Sequence, residues 1–114
     1  MLKKITQLNE FTTRYYKKNA TNLYVSRYAS DDSLAVLIDG DYGREEPISV
    51  CLAGYGLTPG FNRFFVKDYS TGVGIAELLE DSNVAMKISE VQIGYGKGWL
   101  MEFSFDVESL LSKE

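Results

Sequence analysis

The sequence predicts an α+β fold: a single antiparallel sheet of about five to six strands, one short helix packed on it and a short C-terminal helical turn. Three observations predict it. Several short runs alternate apolar and polar residues, most clearly where Trp99, Met101, Phe103 and Phe105 interleave with Leu100, Glu102, Ser104 and Asp106. Only one segment carries a helical stripe: Ile75, Leu78 and Leu79 fall at i, i+3 and i+4, with Glu77, Glu80 and Asp81 on the opposite side. Clusters of Gly, Asp and Ser punctuate the strand-like runs. With 114 residues, 45% of them apolar and 25% charged, residues 1 to 114 read as one globular domain.

The elements follow in order. Residues 2 to 8 form a short first strand. Residues 11 to 18 divide the signals: Thr12, Thr13, Tyr15 and Tyr16 favour strand, while Lys17 and Lys18 would suit a helix C-terminus. Strand or extended structure is the preferred reading. Residues 23 to 28 set Leu23 and Val25 against Tyr24 and Ser26, the pattern of a half-buried strand. Ser30-Asp31-Asp32-Ser33 is turn chemistry. Residues 34 to 38 are continuously apolar and short enough for a central strand buried on both faces. After the turn Asp39-Gly40-Asp41-Tyr42-Gly43, residues 48 to 52 place Ile48, Val50 and Leu52 on one face. Residues 23 to 52 therefore read as a three-stranded antiparallel meander.

A glycine-rich loop at 54 to 60 leads into a strand at 61 to 67. The helix follows, with Ser70 or Thr71 as its cap and Asn83 at its end. It is too short to stand alone, so its apolar stripe must pack on the sheet. Residues 86 to 93 are a strand whose alternation slips near Glu90 and Val91, which predicts a bulge there. Residues 94 to 98 connect to the last strand, and residues 107 to 111 end as a helical turn capped by Asp106.

The chain has no histidine and one cysteine, Cys51. Without imidazole there is no Ser-His-Asp or Cys-His arrangement and no general base of near-neutral pKa. A zinc site would have to combine carboxylates with a single thiol. Gly72-Val73-Gly74-Ile75-Ala76-Glu77 imitates a dinucleotide fingerprint but has Glu77 in place of the third glycine. Lys97-Gly98-Trp99 imitates the start of an RNA-recognition strand and departs from it at Leu100, Met101 and Glu102. Asp39, Asp41, Gly43 and Glu45 imitate a calcium loop but place Arg44 where glycine is required. Cys51 reads as a half-buried structural thiol, and Asp31/Asp32 and Glu45/Glu46 are adjacent in turns rather than opposed across a cleft. No catalytic residue, cofactor or metal is expected, and the protein reads as no enzyme.

One cysteine cannot form an internal disulfide. After Met1-Leu2-Lys3-Lys4 the chain turns polar at Thr6, Gln7, Asn9 and Glu10, and no apolar run reaches membrane-span length. The expected location is the cytoplasm, with no membrane partner.

The net charge of −4 is unevenly spread. Residues 1 to 27 hold six basic residues against Glu10, a balance of +5; residues 28 to 114 hold six basic and fifteen acidic residues, a balance of −9. Such a body repels nucleic acid and attracts basic protein surfaces, although the commoner role of surface charge is solubility. Eight tyrosines add recognition chemistry, because tyrosine gives large contact area at low entropic cost. Tyr42, Tyr55 and Tyr95 lie in glycine-flanked loops. The expected partner-binding residues are therefore Asp39, Asp41, Tyr42, Glu45, Glu46, Tyr55, Glu77, Glu80, Asp81 and Tyr95, facing a host protein with a basic surface. The alternative is nucleic-acid binding through the basic N-terminal segment with Tyr15 and Tyr16, as an accessory of plasmid maintenance or conjugation. A Tyr-rich edge strand would also allow a homodimer.

Three pieces of the chain carry a family resemblance: residues 34 to 39, the helix entry Thr71-Gly72-Val73-Gly74-Ile75-Ala76-Glu77-Leu78-Leu79, and Met101-Glu102-Phe103-Ser104-Phe105-Asp106 with Leu110. Over residues 20 to 111 the chain resembles a domain family of small bacterial proteins from plasmids, phages and conjugative elements. Ser70-Thr71 stands where that family has Asn-Pro before the helix, and Gly96-Lys97-Gly98-Trp99 replaces its Ser-Gly-Phe and Tyr-Pro elements. The resemblance implies mobile-element company and no catalytic residues. Small acidic proteins of such elements include anti-CRISPR inhibitors that block the basic nucleic-acid channel of a Cas nuclease, so the expected function is a non-enzymatic inhibitor of a type II Cas9 effector.

Overall fold

The computed structural model describes residues 2–112. Nine strands and two helices follow in the order β1 (Lys3–Leu8), β2 (Phe11–Thr12), β3 (Lys17–Lys18), β4 (Thr21–Arg27), β5 (Leu34–Asp39), β6 (Glu45–Pro47), β7 (Arg63–Lys67), α1 (Ile75–Asp81), β8 (Ala85–Ile93), β9 (Gly96–Phe103) and α2 (Val107–Ser112). All strand pairing is antiparallel. The α+β class holds, but the strands form three sheets rather than one. They are a four-stranded sheet β1-β4-β5-β6, the two-stranded hairpin β2-β3 and a three-stranded sheet β7-β9-β8.

The division comes from the segment after β6. Pro47 has no backbone donor to extend the ladder. The N–H groups of Ile48 and Ser49 then both reach the Val36 carbonyl, at 2.8 and 3.3 Å, so two residues oppose one and the chain leaves β5. Val50 bridges Phe65 of β7 instead. The expected third meander strand at 48 to 52 is thus displaced to Glu45–Pro47, and residues 48 to 50 pass from one sheet to the other.

Both sheets press on one core. It combines Leu23, Val25, Val36 and Ile38 from the first sheet with Phe64, Val66, Met101 and Phe103 from the second, closed by Phe11, Ile75, Leu79 and Val107. Strand alternation puts Phe65 on the opposite face of β7 from Phe64 and Val66. There Phe65 joins Leu52 and Ile93 in a small second cluster, with Val91 and Leu100 packed against it.

Other expectations shift in place. The helix cap is Gly74 at φ 86°, a left-handed conformation that suits glycine, while Ser70–Gly72 forms a separate 3-10 turn. Asn83, at φ 60°, does end the helix. The bulge in β8 falls between Lys87 and Ser89, earlier than Glu90-Val91. The connection to the last strand is only Gly94-Tyr95, since Ile93 pairs with Gly96; Gly94 at φ 58° supplies the left-handed first position of this tight hairpin. Residues 11 to 18 are the two strands β2 and β3. Asp106 caps α2 as expected, its Oδ1 accepting the Ser109 N–H at 3.0 Å.

Asn62 ties α2 to the second sheet. Buried and left-handed at φ 63°, it donates from Nδ2 to the Phe103 and Phe105 carbonyls, and its Oδ1 accepts the Val107 N–H at 2.8 Å.

Candidate functional site

Two regions hold the acidic candidates. The first is α1 and its surroundings. Glu77 and Asp81 on α1, with Glu10 and Asp68, line a cleft of about 700 Å³ that opens between the β2-β3 hairpin and the helix. Arg14 and Thr13 face them from the hairpin. Asp68 is fixed by structure: its Oδ2 accepts the Trp99 indole N–H at 3.2 Å and its Oδ1 the Gly74 N–H at 3.3 Å. Glu80 turns to β8 instead, where its Oε2 accepts the Lys87 backbone N–H at 3.0 Å. The Lys87 ammonium lies 3.9 Å from Glu77 Oε1 and 4.9 Å from the Trp99 ring centre. Glu77, Glu80 and Asp81 are all exposed.

The second region is the β5-β6 turn. Here the expected residues divide by role. Asp39 uses both carboxylate oxygens inside the protein: Oδ1 accepts the Tyr24 hydroxyl at 2.6 Å, and Oδ2 accepts the Asn22 backbone N–H at 2.9 Å and its side-chain amide at 3.0 Å. The Tyr24 hydroxyl first, and the Asn22 N–H second, hold the Asp39 carboxyl below its ordinary pKa. The same bond raises the Tyr24 hydroxyl. Asp39 is thus a clamp between β4 and the end of β5. Asp41, Glu45 and Glu46 are exposed, and Tyr42 stands wholly in solvent at φ 60°. Glu46 has a partial structural duty, accepting the Tyr16 hydroxyl at 2.8 Å. Burial, then that bond to Glu46, pushes the Tyr16 pKa up to about 12.

The structure brings Glu77, Glu80 and Asp81 together on one short helix, and Asp41, Tyr42, Glu45 and Glu46 together around one turn. Tyr55 and Tyr95 stand apart, each exposed on its own turn. Alternation alone did not reveal the exposed Met86 and Ile88 on β8, nor Leu57 and Phe61 on the loop before β7. The slip in the β8 alternation and the long Gly-rich loop were the signals present for them. Cys51 is half-buried, its thiol 3.2 Å from Ser30 Oγ and 3.7 Å from Asp31 Oδ1.

Among the described residues, no group of three or more His, Cys, Asp or Glu is placed to hold a metal ion, and no helix is long and apolar enough to cross a membrane. No family model, curated protein or solved structure matches the chain.

Proposed function

We propose that this protein is a non-enzymatic inhibitor from a mobile genetic element that presents an acidic face to a basic surface of a host protein, and that the first partner of this chemistry is the nucleic-acid channel of a Cas9-type nuclease. One observation carries the reading. Asp41, Glu45 and Asp81 are exposed and stand outside the ion pairs formed among the described residues. An exposed carboxylate that stabilises nothing internally is available to a partner's Lys or Arg, and complementary fields speed encounter more than they add affinity. Exposed Tyr42 offers rigid contact area beside Asp41 and Glu45, and exposed Tyr95 a separate one on the β8-β9 turn. The mobile-element setting rests on the resemblance at residues 34 to 39, 71 to 79 and 101 to 106.

The test is capture of Cas9 by the tagged protein, with and without guide RNA, alongside a DNA-cleavage assay. Retention of Cas9 and loss of cleavage are expected, both weakened by Asp41→Asn with Glu45→Gln and Asp81→Asn. Absence of both binding and protection overturns the Cas9 reading.

A second reading has its own observation. The Arg14 guanidinium lies 5.7 Å from the centre of the exposed Tyr15 ring, on a hairpin that also holds Lys17 and Lys18. Cations beside an exposed aromatic suit single-stranded nucleic acid. A gel shift that weakens steeply with salt, and is lost in Arg14→Ala with Tyr15→Ala, would select it.

A further inference from the structure

We propose that the outer edge of β8 is a strand-addition site for an extended, basic segment of a partner protein. This deepens the reading of a basic partner and rests on it.

β8 is the terminal strand of its sheet, so its outer backbone groups have no neighbouring strand among the described residues. Which groups face outward follows from the ladder. Ile93 and Gly96 flank a two-residue turn and pair closely, so alternation turns the Glu90 and Gln92 N–H groups away from β9. A second bond agrees: the Lys97 carbonyl, opposite Gln92, accepts the Asp68 N–H at 2.8 Å from the β7 side. Lys87 also faces outward, and its N–H is the one that Glu80 takes. The Glu80 carboxylate therefore occupies the outward N–H just before the bulge. Among the described residues no such cap covers residues 89 to 93.

The side chains along this edge select the occupant. Met86 is 48% and Ile88 39% exposed, which supplies apolar contact. Glu90 is opposite Trp99 and so shares the sheet face that α1 covers. On that face Glu77, Glu80 and Glu90 set three carboxylates against two ammonium groups, with Lys87 3.9 Å from Glu77 and Lys97 3.7 Å from Glu90. Both ammonium groups are drawn over Trp99, 4.9 and 5.5 Å from its ring centre. An added strand sends alternate side chains to each face. Lys or Arg at the α1-facing positions meets the carboxylates, and apolar residues between them reach the Met86 face. Main-chain bonds supply affinity and the side chains supply selection, as in other strand-addition sites.

The probe is a seven-residue peptide of alternating Lys and Val, blocked at both ends, titrated into the full chain and followed by amide NMR and hydrogen exchange. Saturable shifts centred on residues 89 to 93 are expected, with exchange of the Glu90 and Gln92 amides slowed about tenfold or more. Gln92→Pro removes one outward donor without changing charge and should weaken binding about tenfold, as should exchanging Lys for Glu in the peptide. Shifts centred on the α1 cleft, or equal binding by the Glu peptide, overturn the proposal. If Gln92→Pro does not fold, exchange at Glu90 and Gln92 in the unsubstituted protein decides. Cas9 capture that survives a negative peptide result removes the strand-addition site alone and leaves the proposed function standing.

Discussion

The two sheets end in unlike edges. β1 closes the first sheet and β8 the second, and each carries a bulge, at Lys4/Thr6 and Lys87/Ser89. On β1 the protection extends further: Lys3 and Lys4 place two like charges on the strand, and the Lys3 ammonium donates to the Leu110 carbonyl of α2 at 2.9 Å. A second strand approaching β1 must meet both charges or displace that contact. On β8 one carboxylate guards one N–H, and the half beyond the bulge is open. Edge protection is a general need, because an unpaired ladder invites aggregation. A protein that guards one edge with two lysines and the other with a single carboxylate has left the second more open to pairing.

That contrast requires the two sheets to be parts of one folding unit. Phe64 tests this with the largest effect. Its side chain is fully buried in the shared core and packs against Phe103 with ring centres 4.7 Å apart. Phe64→Ala should cost about 3–5 kcal/mol. Urea unfolding followed by Trp99 fluorescence reports the second sheet, and far-UV circular dichroism reports both. The two curves should move together to lower urea. Separate midpoints would show two units, and the edges would then need separate explanations.

Asn62 comes next. Asn62→Ala removes three hydrogen bonds at a buried site and places alanine at φ 63°, so a loss of about 2–4 kcal/mol is expected. Asn62→Gly tolerates the backbone but still loses the bonds, and should recover only part of that loss. Equal stability of the glycine variant and the unsubstituted protein would mean that conformation, not bonding, makes Asn62 matter.

Much of this was legible in sequence and some was not, for identifiable reasons. Residues 34 to 38 announced a strand buried on both faces because their apolar run is continuous, and all but Leu37 are buried. The stripe of Ile75, Leu78 and Leu79 located α1 because helical spacing is a local property. The division into three sheets was not legible. It depends on Ile48 and Ser49 sharing one carbonyl of a distant strand, which no local pattern records. The carboxylates were found by charge, but charge does not reveal employment. Asp39 and Asp41 look alike in sequence, yet Asp39 is consumed by Asn22 and Tyr24 while Asp41 faces solvent. Asn62 was passed over because it fell inside the strand read at 61 to 67, and its bonds to Phe103, Phe105 and Val107 are too distant in sequence for a local pattern to record.

The β1 lysines can be tested directly. Lys3→Thr with Lys4→Thr removes both charges from that edge. Self-association, measured by sedimentation across protein concentration, should strengthen about tenfold over the unsubstituted chain. Lys87→Thr alone should change it less, because the Glu80 carboxylate still occupies that part of β8. If the β1 variant associates no more than the original, lysines are not what protects that edge, and the contrast with β8 loses its cause.

The smallest effect expected is a pH dependence confined to the first sheet. Asp39 joins β4 to β5 through Tyr24 and Asn22, and its folded-state pKa lies below the ordinary value. A carboxylate depressed in this way stabilises the fold fully above its unfolded pKa, about 3.9, and the contribution disappears as pH falls through the lower folded value. Asp39→Asn should therefore be less stable than the unsubstituted protein at pH 7, with the difference shrinking below about pH 4 and closing at lower pH. Exchange at the Asn22 amide should follow the same course, since that N–H bonds to the carboxylate. The outward amides of β8 bond to no such group beyond Lys87 and should show no matching step. A stability difference that stays constant from pH 7 to pH 2 would mean that Asp39 acts through shape and packing, and the first sheet would then owe none of its closure to charge.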